Sequence, residues 1–296
     1  MEVTNGVERN SVCMAKGPVS LLRYSPALLL FTFAIADAGR WADPDLWGHL
    51  AFGGLILAHG RLPTRDIYSY SATGMPWHDH EWLAEVVLAL CWSNFGVIGL
   101  KLMKFALSAL TMTLLAMGTA ETGAPIMLQF FILTTGALAL GPMIQFRPQL
   151  FDFLGLSALM LLLARDTYRR AGGQWIAVPI FVLWANLHGG FIIGLVMLVI
   201  YTAVVAIGDA LTNGSLGRAG HLTLLTATCI LATLLNPYGV GNWSTVMHTL
   251  GNPLTRAIVS EWQPLGFKTS RNGISRLLRR SISHSQSHRR LRSRSA

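Results

Sequence analysis

Asp43-Pro44-Asp45 and His49 are the residues of this chain best spaced for chemistry. On a helix running through Leu46-Trp47-Gly48-His49-Leu50, His49 follows Asp45 by one turn on the same face. A carboxylate beside an imidazole suits general-base work or hydrogen bonding to a substrate. An aspartate here can also cap the helix N-terminus, but capping needs only one of the two. Asp45 is therefore the first candidate base and Asp43 the second. Six of the chain's fourteen acids lie between Asp43 and Glu85: Asp43, Asp45, Asp66, Asp79, Glu81 and Glu85. Carboxylates are costly near hydrocarbon unless they face water or a partner, so this cluster marks a functional surface.

Other polar groups stand at the ends of apolar runs. Arg147-Pro148 follows one with no acid nearby. Its guanidinium can snorkel to the surface or hold a phosphate, for which the planar fork is suited. Trp184-Ala185-Asn186-Leu187-His188-Gly189-Gly190 ends another, where Asn186 and His188 are either helix caps or part of a site. His78-Asp79-His80-Glu81 carries metal-capable groups at i, i+2 spacing, without the remaining ligands of a zinc site. It reads first as the lining of a polar pocket. Asp66, in Arg61-Leu62-Pro63-Thr64-Arg65-Asp66, and Asn236-Pro237-Tyr238-Gly239 read as turns. Glu261-Trp262 offers an aromatic face to a sugar ring.

The elements that must position these groups are apolar helices. Charged residues make up only 12 % of the chain, about half the share of a soluble domain, and mean hydropathy is +0.47. The expectation is an all-α, polytopic membrane bundle of about seven spans: 21–38, 97–118, 125–144, 149–164, 174–188, 191–211 and 221–236. The first is read as a retained helix, not a cleaved signal. Segment 82–95 is either a short span or an interfacial helix. Arg9, Lys16 and Arg23 place the N-terminus in the cytoplasm. If 82–95 lies in the interface, Arg165, Asp166, Arg169 and Arg170 also fall inside. Loop 39–96, Arg147, Asn186 with His188, Asn236 and the segment to Glu261 then share the outer side. That parity is adopted, with interfacial helices in the first extracytoplasmic loop.

The net charge of +9 belongs to the tail. Residues 268–296 hold nine basic groups and no acid, so residues 1–267 carry fourteen of each sign. Nucleic-acid binding by the body is excluded as a reading. The domains expected are a cytoplasmic N-terminus, 1–20, a transmembrane domain, 21–266, and a basic low-complexity tail, 267–296, expected to be disordered. Cys13, Cys91 and Cys229 are too far apart for a ligand motif and read as free thiols.

The stretch Ala42-Asp43-Pro44-Asp45-Leu46-Trp47-Gly48-His49-Leu50, followed by Ile56-Leu57-Ala58-His59-Gly60-Arg61-Leu62-Pro63, resembles the GT-C superfamily of membrane glycosyltransferases. The resemblance is to the branch of protein mannosyltransferases and lipid A aminoarabinose transferases. It is specific over about 25 residues and covers 20–265 in layout. It implies transfer of a sugar from a polyprenyl-phosphate donor to an acceptor on the outer face of the plasma (inner) membrane. Asp45 corresponds to the loop carboxylate that acts on the acceptor, and Arg147 falls near the outer end of the third span, where the branch often presents polar residues. His49, His188 and Glu81 complete the expected substrate-binding set. No cofactor is implied with certainty; a divalent cation is compatible. Leu46 departs from the branch, which commonly has a second acid there. Family members are also longer, and the Arg/Ser/His-rich tail reads as a truncated or frame-shifted end. Two other readings stand beside the enzyme: a transporter or flippase of a lipid-linked glycan, and a non-catalytic remnant. Transporters place polar groups at the midplane on broken, repeated helices. Here the polar groups gather at one interface.

Overall fold

The computed structural model describes residues 43–170, 172–212 and 217–253. The expected span 21–38, Glu261-Trp262, Cys13 and the basic tail lie outside the described residues. Those described form eight α-helices: α1 Leu46–His59, α2 Trp82–Glu121, α3 Ile126–Leu140, α4 Gln149–Arg169, α5 Ala177–Leu187, α6 Phe191–Leu211, α7 Gly217–Ala232 and α8 Val240–Gly251. Short 3-10 turns, Gly141–Met143 and Gln174–Ile176, precede α4 and α5. Among the described residues there is no strand, only an isolated bridge between Arg65 and Pro76. The chain divides into a body through Val246 and a unit from Met247, of which the end of α8 is described.

Helix α2 is two helices end to end. Gly96 breaks it with φ 57° and ψ −142°, a conformation essentially reserved for glycine. The bend is sharp: a Cβ on Gly99 would lie 2.3 Å from the Cys91 carbonyl oxygen, although the two residues are two turns apart in sequence. Residues 82–95 thus form a helix distinct from 97–121. Helix α1 packs on that first piece. A Cβ on Gly53 would lie 2.1 Å from the Glu85 carbonyl oxygen, so the two backbones touch there. The α1 helix ends as its sequence implies, with the Gly60 N–H donating to the Ile56 carbonyl.

The largest core lies among α4, α5, α6 and α7, around Leu159, Phe181, Trp184, Phe191, Leu198, Leu222 and Cys229. Trp184 is its pivot. Cβ atoms on Gly155 of α4 or Gly194 of α6 would each sit 2.6 Å from the indole. At the other ends of α2 and α4, Glu121 pairs with Arg165 and Arg169. Asp166 there takes Arg218, Tyr201 and Gln174. Cys91 and Cys229 are free thiols.

Two of the described helices, Trp82–Glu121 and Phe191–Leu211, are long and apolar enough to cross a membrane. Only 33 % and 39 % of their apolar windows are buried, where the core helix of a soluble protein would be mostly covered. Phe95, Ile98, Leu102, Ile193, Ile200, Val204 and Leu211 face outward. These features suggest association with a membrane. Among the other expected spans, α4 has 21 residues, as many as α6, and α7 has 16. Helix α3 has 15 residues and α5 has 11, or roughly 22 and 16 Å against a hydrocarbon core of ~30 Å. Helix α8, which mixes Asn242, Ser244, Thr245 and Thr249 with apolar residues, lies where the sequence offered no helical pattern.

Candidate functional site

Asp43 and Asp45 divide the work at the start of α1. Asp43 is buried, and its Oδ1 accepts the Asp45 N–H at 2.9 Å. The Asp45 side chain makes no capping bond and is 63 % exposed. Arg147 reaches both, with Nε 2.7 Å from Asp43 Oδ2 and Nη2 2.9 Å from Asp45 Oδ2. The arginine is presented by the turn before α4, where Pro148 is the N-cap residue. The two positions expected to serve as base and phosphate ligand are therefore paired with each other.

His49 does not pair with Asp45 as its spacing suggested. Its Nδ1 lies 2.9 Å from Glu85 Oε1 and 3.8 Å from Glu81 Oε2. The reason is helix packing: α1 is pressed on residues 82–95 at Gly53, which turns His49, one turn earlier, toward Glu85. Burial lowers the His49 pKa, although the Glu81 and Asp45 charges oppose it.

Glu81 precedes α2 and is ringed by imidazoles. Its Oε1 lies 3.1 Å from His188 Nε2 and 3.4 Å from His80 Nε2. Burial disfavours its charge, but hydrogen bonds from His188 and His80 outweigh this and hold the carboxyl well below the usual range. His188, just past α5, also contacts Asp152 through Nδ1. Burial would lower its pKa; Asp152 and Glu81 overcome that and push it up to about 10. Asp152 stands in the first turn of α4, and its Oδ1 accepts the Trp184 Nε1–H at 2.7 Å. A Cβ on Gly190 would lie 2.3 Å from its carboxyl group, so the close approach of Asp152 to the α5–α6 turn depends on that glycine.

The wall is closed by further crosslinks. Asn186 is not a cap: its Oδ1 accepts the Trp82 Nε1–H, and its Nδ2 donates to the Val182 and Leu235 carbonyls. Asp79 donates its N–H to Tyr238 Oη and accepts the Glu81 N–H at Oδ1. Burial raises its pKa. His78 turns away to Thr245 and Tyr238, so His78 and His80 do not converge as a ligand pair. Asp66 and Asn236 are turn residues, each accepting backbone N–H groups. Phe52 and Trp77 stack at 5.3 Å and supply an aromatic wall.

The result is a cavity of about 470 Å³. Asp45, His49, Glu81, Arg147 and His188 line it, while Asp43 stands behind Arg147. Of the five polar sets that the sequence put on one side, three reach this space, through the first loop, Arg147 and His188; Asn186 and Asn236 do not line it. Asp152, Glu85 and Trp184 were not singled out as site residues, although an acid within the apolar run 149–164 was a signal for Asp152. Chemically, the arrangement offers an exposed carboxylate, a guanidinium, a protonated histidine between two carboxylates, and a His49–Glu81–Glu85 group whose ligand atoms lie within 4.8 Å of one another. No family model matches the chain, and no curated protein or solved structure matches it.

Proposed function

We propose that this chain is a GT-C-like membrane glycosyltransferase that moves a sugar from a polyprenyl-phosphate donor to an extracytoplasmic acceptor. The observation that carries the reading is the Asp45–Arg147 pair, 2.9 Å apart on a cavity of about 470 Å³. Small-molecule sites run from roughly 300 to 1,000 Å³. The proposed setting is a bundle of about seven spans in the plasma (inner) membrane, with the cavity outside. Outward apolar faces on α2 and α6 support that setting.

In the proposed reaction, Arg147 exchanges Asp45 for the donor phosphate. The released Asp45 carboxylate takes the acceptor hydroxyl proton. The acceptor oxygen bonds to the sugar's anomeric carbon as the bond from that carbon to the phosphate oxygen breaks. Polyprenyl phosphate leaves as an anion, stabilised by the guanidinium. Asp43 retains the other side of Arg147 and positions it. The Phe52–Trp77 wall would take the apolar face of the sugar.

The test uses the full chain in vesicles holding a radiolabelled polyprenyl-phosphate hexose, with release of polyprenyl phosphate as the readout. A general base contributes typically ~10²–10⁴-fold, so Asp45→Asn should slow release at least about a hundredfold while the protein still inserts. Asp43→Asn should lower stability more than it lowers turnover. Release at the wild-type rate by Asp45→Asn removes this carboxylate from the chemistry. Donor movement across the bilayer without release would favour a flippase.

A further inference from the structure

We propose that His49, Glu81 and Glu85 bind one divalent transition-metal ion of the zinc type. The inference does not depend on the transferase reading, because binding can be measured without turnover.

Three observations carry it. First, two helix faces converge. His49 and Gly53 are one turn apart on α1, and Glu81 and Glu85 are one turn apart at the start of α2. The backbone contact at Gly53 presses these faces together. The imidazole and the two carboxylates thus come from a rigid helix pair and not from loose loops.

Second, the spacings suit shared ligation. Two ligand atoms ~2.1 Å from a tetrahedral metal are roughly 3.4 Å apart. His49 Nδ1 is 2.9 Å from Glu85 Oε1 and 3.8 Å from Glu81 Oε2, and all three ligand atoms lie within 4.8 Å. The 3.8 Å separation is too long for a hydrogen bond, yet within a few tenths of an ångström of the ligation value.

Third, buried acceptors are left over. Asp79 and Glu85 are 3 % and 4 % exposed, and Asp79 Oδ2 and Glu85 Oε2 have no hydrogen-bond partner. Among the described residues, no arginine or lysine forms an ion pair with either acid. A proton held between the two carboxyls would meet these oxygens but would leave the Glu81–His49 gap unexplained. One cation held by Glu81, His49 and both oxygens of the Glu85 carboxylate accounts for that gap and for Glu85 Oε2, while Asp79 lies outside the ligand set.

The surroundings resemble those of a metal ligand set. Glu81 Oε1 is fixed by His188 and His80, which leaves Oε2 to face His49. His188 is in turn held by Asp152. Such outer partners orient ligands and raise affinity. The mixture of one imidazole and two carboxylates favours a borderline ion over calcium or magnesium, which take oxygen ligands.

The experiment uses the full chain in detergent, stripped with EDTA and titrated with Co²⁺, whose ligand-field bands report coordination. One equivalent should produce bands, Zn²⁺ should displace it one for one, and millimolar Ca²⁺ should not. Glu85→Gln and His49→Gln should each weaken Co²⁺ binding at least tenfold. His59→Gln, at the exposed end of α1, should bind as wild type. Should Glu85→Gln fail to keep its helical circular dichroism, His49→Gln carries the comparison. Absence of Co²⁺ bands in the wild-type protein overturns the proposal, as do unchanged bands in His49→Gln or displacement by Ca²⁺. A proton shared by Asp79 and Glu85 would then be the account of those oxygens. Metal binding with no polyprenyl-phosphate release would sink the transferase reading alone.

Discussion

Replacing Asp152 by Asn tests the bridge Asp152–His188–Glu81. The new side chain keeps its size and the acceptor facing Trp184 Nε1, but it loses the charge facing His188. Removing one partner of a buried pair costs about 3–5 kcal/mol. The side chains of His188 and Asp152 are 18 % and 14 % exposed, which points to the lower end, about 3 kcal/mol. That corresponds to roughly 6–12 °C in Tm. The pH dependence has a definite sign. The His188 pKa is raised from 6.5 to about 10, so its contribution is complete below 6.5 and is lost as pH rises through about 10. The Asp152→Asn deficit should therefore be full at pH 6.5 and shrink to that of a hydrogen bond above pH 10. Thermal unfolding of detergent-purified Asp152→Asn, His188→Gln and the double variant gives the coupling, expected to be at least about 1 kcal/mol at pH 6.5. Additivity within about 0.5 kcal/mol, or a deficit that does not change with pH, would refute the bridge.

Two further outcomes follow from the backbone. Gly96→Ala forces a Cβ onto φ 57°, ψ −142°, and should cost about 1–3 kcal/mol, read as a lowered Tm; an unchanged Tm would mean the bend does not persist in solution. Gly53→Ala places a methyl group 2.1 Å from the Glu85 carbonyl oxygen, so α1 must shift away from α2. It should lower both Tm and Co²⁺ affinity, whereas Gly54→Ala, with open space around its Cβ, should change neither.

The helices were legible where apolar runs met strong punctuation. Phe191–Leu211 is bounded by Gly189-Gly190 and by the polar residues after Leu211, and the helix matches the run at both ends. The break before 97 was legible too, but 82–95 itself stayed open between a short span and an interfacial helix, with the carboxylate at 85 favouring the interface. What was not legible were the partners. Local spacing put His49 beside Asp45, but the contact between α1 and α2, set by Gly53, turned it toward Glu85. Asp43, Asp45 and Arg147 were each singled out, yet nothing local says that one arginine holds both acids. Asp152 was hidden because its counterparts, Trp184 and His188, are 32 and 36 residues away on another helix and its flanking turn. Helix α8 has a weak sequence pattern, and contacts such as Asn242 Nδ2 to the Ala185 carbonyl help to hold it.

The sequence distance between Asp45 and Arg147 has a consequence for synthesis. The two are 102 residues apart. At ~5–20 residues per second, translation delivers the arginine roughly 5–20 s after the aspartate. His188 comes later still. Over that interval Asp43, Asp45 and Glu81 are made before Arg147 and His188, the later basic groups that pair with them. Water is their main partner until then, so the nascent first loop must remain hydrated while the helices behind it are still being made. An insertion machinery that admitted this loop to an apolar compartment early would strand three carboxylates there. For these three the order of residues along the chain sets a timetable for assembly, with the acids first and their cations after.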